Sequence, residues 1–215
     1  YYSRFSLDGG IQYKLKLSKN NNLRIGATGF MGGNMNATQD RLRQTFIFNS
    51  SNGVDSLDVA ERSTGNPGII TIPSGYSTGL QLEGGAGQWM IGAEYETINW
   101  NEYRFFGKED NVANASLLRV GGHFVPDAVN GKSYLSRVTY RAGFFTGKDK
   151  VVANDIQLPV WGATFGLGLP IRRFNAYSNQ FTSINTSIEF GKRGNPMVPV
   201  TENYLRINIG LSLSD

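Results

Sequence analysis

The most constraining feature of this sequence is an unbroken alternation of apolar and polar residues near its C-terminus. Every second residue from Leu205 to Leu213 is Leu or Ile, and the residues between them are Arg, Asn, Gly and Ser. A period of two places the apolar side chains on one face of a β-strand and the polar side chains on the other. The run is about ten residues long, which suits a tilted strand crossing a bilayer better than a strand of a soluble sheet. The stretch therefore predicts a membrane β-barrel.

The same alternation recurs along the chain, so the protein is predicted to be all-β. The further strand segments are residues 5–17, 23–33, 69–83, 89–106, 116–125, 134–147, 156–170 and 181–191. The connections between neighbouring segments are too short for parallel crossovers, which makes the pairs antiparallel. We predict one antiparallel transmembrane β-barrel domain over residues 1–215, with about nine strands in this chain.

The connections between the predicted strands alternate between short turns and longer loops. Outer-membrane barrels have this asymmetry, with the short turns in the periplasm. The longest connection, residues 34–67, is rich in Asn, Ser, Asp and Gly and is predicted to be a long extracellular loop. Bacterial single-chain barrels usually have an even number of strands. An odd count therefore indicates a fragment whose upstream strands are missing.

The composition argues against several other classes of protein. No window approaches about 18 consecutive apolar residues, so no transmembrane helix is predicted. The chain has no Cys, and hence neither a disulfide framework nor a thiolate metal site. The formal net charge is +4 and the Lys and Arg residues are dispersed, which does not indicate nucleic-acid binding. We predict no nucleic-acid partner, no metal and no cofactor.

The sequence also lacks a recognisable catalytic constellation. His123 is the only histidine, and no neighbouring carboxylate has metal-ligand spacing. A G-x-S-x-G nucleophile motif is absent, and the glycine-rich GGAGQ lacks the strand-to-helix context of a phosphate-binding loop. The protein is therefore predicted not to be an enzyme.

Charged residues on the polar faces of three neighbouring strands form a predicted charge ladder. Its members are Glu94, Glu96, Arg119, His123, Arg137 and Arg141. Such side chains can meet across antiparallel strands. Two interpretations are open. The ladder either guides or constricts a passage through the lumen, or its members pair and fill the barrel interior; the second is favoured.

The predicted long loop contains a small apolar group that is a candidate groove for hydrophobic ligands. Its members are Phe46, Ile47, Phe48 and Val54. The alternative is that the loop packs on itself, and the residues favour neither interpretation.

A soluble β-sandwich binding module is the competing fold for a chain with this pattern. In a sandwich the apolar faces pack on each other, whereas in a barrel they meet lipid. Polar faces that are rich in glycine, such as that of Gly162, Gly166 and Gly168, favour an enclosed interior over a solvated surface.

Three stretches resemble FadL-type outer-membrane transporters of Bacteroidetes-like bacteria. They are GQWMIGAEYETINWNEYRFF, SYLSRVTYRAGFFTG with VWGATFGLGLPIRR, and INTSIEFGKRGN with VTENYLRINIGLSLSD. The resemblance covers most of the chain from Ile69 onward and implies a barrel of about fourteen strands with an N-terminal plug. It further implies passive diffusion of long-chain fatty acids or other hydrophobic small molecules across the outer membrane of a Gram-negative bacterium.

The predicted partners follow from these interpretations. The barrel would contact outer-membrane lipid and a hydrophobic small-molecule ligand or detergent. The alternative function is a barrel that transports nothing and is a subunit of a larger outer-membrane complex for secretion or assembly. Its partners would be other outer-membrane proteins.

Overall fold

The computed structural model describes residues 2–3, 5–49, 53–127, 131–171, 181–197 and 200–214. Within these residues the chain is all-β apart from one helical turn, α1 (Tyr134–Arg137), and two short 3-10 turns. The strands are β1 (Tyr2–Ser3), β2 (Asp8–Lys16), β3 (Asn22–Phe30), β4 (Gly33–Phe48), β5 (Val54–Ile72), β6 (Gly75–Gly84), β7 (Trp89–Ile98), β8 (Arg104–Phe105), β9 (Lys108–Glu109), β10 (Ala115–Phe124), β11 (Thr139–Ala153), β12 (Ile156–Pro170), β13 (Phe181–Arg193) and β14 (Glu202–Ser214). No helix in these ranges has the length and apolar character needed to cross a membrane.

One nine-stranded antiparallel sheet forms the body of the molecule. Its spatial order is β2-β3-β6-β7-β10-β11-β12-β13-β14. Each of the nine segments predicted from alternation contributes one strand to this sheet, so the all-β, antiparallel prediction is confirmed. The structure does not pair β2 with β14 in the described residues.

Most of residues 34–67, predicted to be a long loop, instead lie in the two paired strands β4 and β5. Strand β4 has 16 residues and β5 has 19, and they form the centre of a second sheet with the order β1-β4-β5-β8-β9. Their pairing shifts register at three places, between Gln39 and Arg41, Arg43 and Gln44, and Thr45 and Phe46. A β-bulge changes which face a residue occupies. The alternation is therefore lost in the sequence although the backbone remains paired.

Two connections also differ from the prediction. The gap between the predicted strand segments 134–147 and 156–170 is not a loop, because β11 continues to Ala153 and a two-residue turn follows. Asn154 and Asp155 have φ values of 49° and 61°, a left-handed conformation that Asn and Asp tolerate and that tight hairpin turns require. Conversely, the segment predicted to begin a strand at Tyr134 starts with α1, and the strand begins at Thr139.

The apolar residues of the nine strands lie together on one face of the sheet. One cross-strand row contains Tyr13, Ile25, Leu80, Ala93, Val120, Phe144, Ala163, Phe190 and Leu205. This face is exposed: Leu80 retains 55% and Leu205 57% of its accessible surface. In the described residues the buried hydrophobic side chains are Val125, Val138 and Leu158. This is not the packing of a β-sandwich, whose apolar faces form a common core.

Candidate functional site on the inner face of the sheet

The polar face of the nine-stranded sheet lines a cavity of about 930 Å³. All nine strands contribute to its wall, from Gln12 on β2 to Arg206 on β14. A flat sheet cannot bring its two edge strands to one cavity. The sheet is therefore strongly curved, with the polar residues inside and the apolar residues outside.

The centre of this polar face carries an ion-pair cluster between β7 and β10. The register places Arg119 directly opposite Glu94, and Glu96 projects from the same face two residues further along β7. Arg119 Nη1 donates to Glu94 Oε1 at 2.8 Å and to Glu96 Oε2 at 2.6 Å. One guanidinium thus compensates two carboxylates that would otherwise repel each other.

The other three members of the predicted ladder do not join this cluster. His123 lies opposite Arg141 in the register, and its Nε2 is 3.4 Å from the Gly87 carbonyl oxygen. Arg141 Nη1 donates to Asn185 Oδ1 at 2.8 Å. Arg137 belongs to α1, and its guanidinium lies 5.6 Å from the centroid of the Tyr134 ring. A lumen role for these residues stays a prediction.

Sequence analysis missed a second cluster on the same face, at β2, β3 and β6. Glu83 Oε1 is 3.6 Å from Lys14 Nζ and 3.2 Å from Arg24 Nη2. Its side chain is only 18% exposed, so it is better shielded from water than either carboxylate of the β7–β10 cluster. The alternation of apolar and polar residues already places these three side chains on the polar face of their strands. The β4–β5 hairpin separates β3 from β6 in sequence and hides their adjacency.

A third group of paired charges on the inner face joins the last two strands. Arg206 Nη1 lies 3.2 Å from Glu189 Oε1, and the two residues face each other in the β13–β14 register. Further along the same strands, Asn185 Nδ2 donates to Ser212 Oγ at 2.9 Å. The inner face is therefore tied together across strand boundaries by paired polar groups.

Glycines on the inner face make room for aromatic rings from neighbouring strands. Gly162 lies opposite Phe145, and Gly191 lies opposite Tyr204. A Cβ atom added at either glycine would overlap the facing ring. The absence of a side chain at these positions thus lets a large ring lie flat against the wall.

The four residues of the predicted ligand groove lie at the end of β4 and the start of β5. Phe46 and Phe48 share one face of the hairpin, with ring centroids 5.6 Å apart in an edge-to-face contact, and Val54 pairs with Phe48. Ile47 alternates onto the opposite face, where it pairs with Asp55. All four residues are about half exposed or more. They lie on the two faces of a ribbon, and a groove for hydrophobic ligands at this place stays a prediction.

Within the residues that the structure describes, no three His, Cys, Asp or Glu side chains come together as a metal-binding group. The four inner-face carboxylates described above each have a cationic partner within 4.0 Å. The arrangement is suited to holding strands together, and it leaves none of these four acids as an isolated proton acceptor.

Fold and inner face together define a class of protein: an all-β chain whose curved antiparallel sheet has an apolar outer surface and an ion-paired polar inner surface. The family model of BamG matches residues 1–215. The chain therefore belongs to the BamG family. A comparison with curated proteins finds no match.

This membership corrects the resemblance to FadL-type transporters, because BamG is a distinct family. The three stretches that carried the resemblance consist of alternating apolar residues, glycines and aromatics. Outer-membrane strands in general share these features. They indicate the class of fold and do not separate one family within it from another.

Proposed function

We propose that this protein is a β-barrel subunit of an outer-membrane assembly complex, the BAM complex, in a Gram-negative bacterium. Membership in the BamG family supports association with other outer-membrane proteins. The proposal takes residues 1–215 as one barrel domain with a structural role and no catalytic one.

The observation that carries the membrane part of the proposal is the exposed apolar face on all nine strands. Soluble monomers rarely expose a contiguous apolar patch larger than a few hundred Å², whereas here every strand contributes to such a face. Strands β6, β7 and β10 have 10 residues each, within the range of about 9–11 that a tilted transmembrane strand needs. Lipid on the outer surface accounts for both features.

The inner face favours a subunit over a conduit for hydrophobic compounds. The cavity wall is lined by Glu94, Arg119, Glu189 and Arg206, all engaged in ion pairs. A hydrophobic molecule passing these groups would remove water from charges without replacing their hydrogen bonds, which is unfavourable. Mutual pairing instead stabilises the wall.

The test is affinity purification of the tagged full-length protein from outer membranes of its own bacterium in mild detergent. We expect it to co-purify with the central barrel protein of the assembly complex, and its depletion to lower the amounts of other outer-membrane proteins. A tagged outer-membrane barrel of unrelated function is the control. Purification of the protein alone, with normal levels of other outer-membrane proteins after depletion, would refute the proposal.

A further inference from the structure

The outer part of the β4–β5 hairpin, residues 42–62, is a two-stranded structure that we call the outer ribbon. At the base of the hairpin, β1 pairs with β4 as far as Ala37 and β8 pairs with β5 as far as Ile70. Beyond Arg41 and Ser63, the described residues of β4 and β5 pair only with each other. Because an isolated pair of strands is marginally stable in water, the outer ribbon is expected to gain stability from a surface that covers it.

One face of the outer ribbon is apolar. Cross-strand partners project to the same side of an antiparallel pair, and successive residues alternate between sides. Phe46 and Phe48 therefore share a face with Val54, which lies opposite Phe48, and on the same face Ser56 Oγ donates to Gln44 Oε1 at 3.4 Å. The apolar members of this face are Leu42, Phe46, Phe48, Val54 and Val59, with exposed fractions from 44% at Val59 to 74% at Phe48, and Arg62 bounds the face toward the hairpin base.

A register shift brings the apolar residues of β5 onto this common face. Val54 and Val59 are an odd number of positions apart, so strict alternation would place them on opposite sides of β5. The shift between Thr45 and Phe46 instead places Val59 opposite Gln44, on the face of Phe46. Bulges often re-aim a side chain beside a functional surface. The irregular pairing of the hairpin thus assembles one continuous apolar strip.

The opposite face of the outer ribbon is charged. Arg43 lies opposite Glu61, and Asp58 and Asp55 follow on the same side toward the tip. Within the described residues, neither Asp55 nor Asp58 has a cationic group within 4.0 Å. The sequence from residue 44 to residue 59 contains these two acids and no Lys or Arg. The tip therefore combines an apolar face with uncompensated negative charge.

The composition of the tip favours a protein over lipid as the occupant of the apolar face. Segments that lie on a membrane surface bind anionic lipids through Lys and Arg and place Trp or Tyr at the interface. Residues 44–59 contain none of these four residue types. The negative surface potential of anionic headgroups would also repel Asp55 and Asp58.

We propose that the outer ribbon is a docking arm, whose apolar face binds an apolar strip bordered by Lys or Arg residues on another protein of the outer-membrane complex. Packed sheet faces lie about 10 Å apart, which is close to the Debye length of about 8–10 Å, so the field of Asp55 and Asp58 reaches the partner's surface. The proposal rests on the proposed function, because that function supplies a complex in which such a partner is present. It adds the surface and the chemistry of one contact.

The first test places a photo-crosslinking amino acid at single positions of the full-length protein in living cells. Phe46 and Val59 are the positions on the apolar face. Thr45 and Asp58 are matched controls, because they are also exposed and pair with each other on the opposite face. We expect Phe46 and Val59 to form adducts with a second protein and the controls to form none. Mass spectrometry should map the adducts to an apolar strip with neighbouring Lys or Arg residues.

The second test measures how much of the crosslinked partner is recovered in affinity purification. Phe46→Glu should lower the recovery at least about tenfold, as expected for an aromatic anchor of an interface, and Thr45→Glu on the other face should leave it unchanged. Replacement of residues 42–62 by Asn-Gly should remove the partner altogether. Combining Asp55→Lys with Asp58→Lys should lower the recovery at low salt and less so at high salt.

The other outcomes overturn the inference. Adducts with lipid alone, with a second copy of this chain or with another part of the same polypeptide would assign the apolar face to a different occupant. Equal adducts from both faces, or no protein adduct from Phe46 and Val59, would refute the docking face, and unchanged recovery after the charge reversal would refute the basic border.

The docking face and the proposed function can fail separately. If the parent protein co-purifies with the assembly complex and Phe46 and Val59 give no protein adduct, the proposed function stands and the docking face is wrong. If the parent protein does not co-purify with the complex, the proposed function fails, and an inference that rests on it fails as well.

Discussion

At the scale of single residues, the inner face depends on compensation between neighbouring charges. Glu94 and Glu96 lie two residues apart on β7 and project to the same side, and Arg119 contacts both. All three side chains are at least 31% exposed, so solvent screens the pairs and each contributes little, about 0.2–1 kcal/mol. The cluster organises the wall more than it stabilises the fold.

We expect Arg119→Met to lower the free energy of unfolding by about 1–2 kcal/mol, because two pairs are lost and two like charges remain adjacent. The measurement is urea unfolding of the purified protein in detergent or lipid. The triple variant Arg119→Met with Glu94→Gln and Glu96→Gln is the control, and it should recover most of the loss. A single variant as stable as the parent protein would show that the cluster is not coupled.

The second prediction concerns Gly191, which lies against the ring of Tyr204. Gly191→Ala places a methyl group in the space of the Tyr204 ring, and overpacking of this kind costs about 1–3 kcal/mol. Gly210→Ala is the matched control on the same inner face of the next strand, where nothing lies within 4 Å of the added atom. Urea unfolding should therefore separate the two variants, with Gly210→Ala unchanged or slightly more stable.

The origin of that difference can be checked with a third variant. Combining Gly191→Ala with Tyr204→Leu removes the ring that the methyl group meets. Gly191→Ala should lower the free energy of unfolding less in the Tyr204→Leu background than in the parent protein. Equal effects of Gly191→Ala in both backgrounds would mean that the cost does not come from the Tyr204 ring.

At the scale of strands and hairpins, pattern analysis succeeded where the alternation keeps its phase. Residues 156–170 were predicted as one strand and form β12 with the same bounds. It failed in β4 and β5, where three register shifts change the phase. A period of two can be detected only while each residue advances the strand by one step.

The ion-pair cluster between β7 and β10 was predictable from the sequence, whereas the cluster at β2, β3 and β6 was not. Strands β7 and β10 are consecutive members of the sheet, so the meeting of Glu94 with Arg119 followed from their order in the chain. Strand β6 follows β3 in the sheet but is separated from it by the hairpin, which forms part of another sheet. Pairing of Glu83 with Arg24 required knowledge of that topology.

The outer part of the β4–β5 hairpin should be dispensable for folding of the main sheet. Beyond the pair formed by Arg41 and Ser63, the described residues of each strand pair only with the other strand. We expect replacement of residues 42–62 by Asn-Gly, a favoured two-residue turn, to leave the fold intact. Circular dichroism and the urea midpoint in detergent are the measurements.

Val120→Pro is the control for that deletion, since proline in a central strand removes a ladder hydrogen bond and should destabilise the sheet. The control thus establishes that the assay detects loss of strand structure. A hairpin deletion that unfolds as readily as Val120→Pro would contradict the independence of the two sheets.

At the scale of the whole molecule, the decisive question is whether the outer, apolar face of the sheet contacts lipid. Two neighbouring residues of β12 allow a direct test. Phe165 lies on the outer face and is 56% exposed, whereas Thr164 lines the cavity opposite Glu189. If the outer face contacts lipid, Phe165→Arg should cost about 2–4 kcal/mol near the bilayer midplane. Thr164→Arg places the same charge beside a carboxylate and should cost far less.

Folding into lipid vesicles, followed by urea titration, measures both variants. A soluble protein with both faces in water would tolerate the two substitutions about equally, and equal tolerance would therefore refute the barrel and the membrane location together.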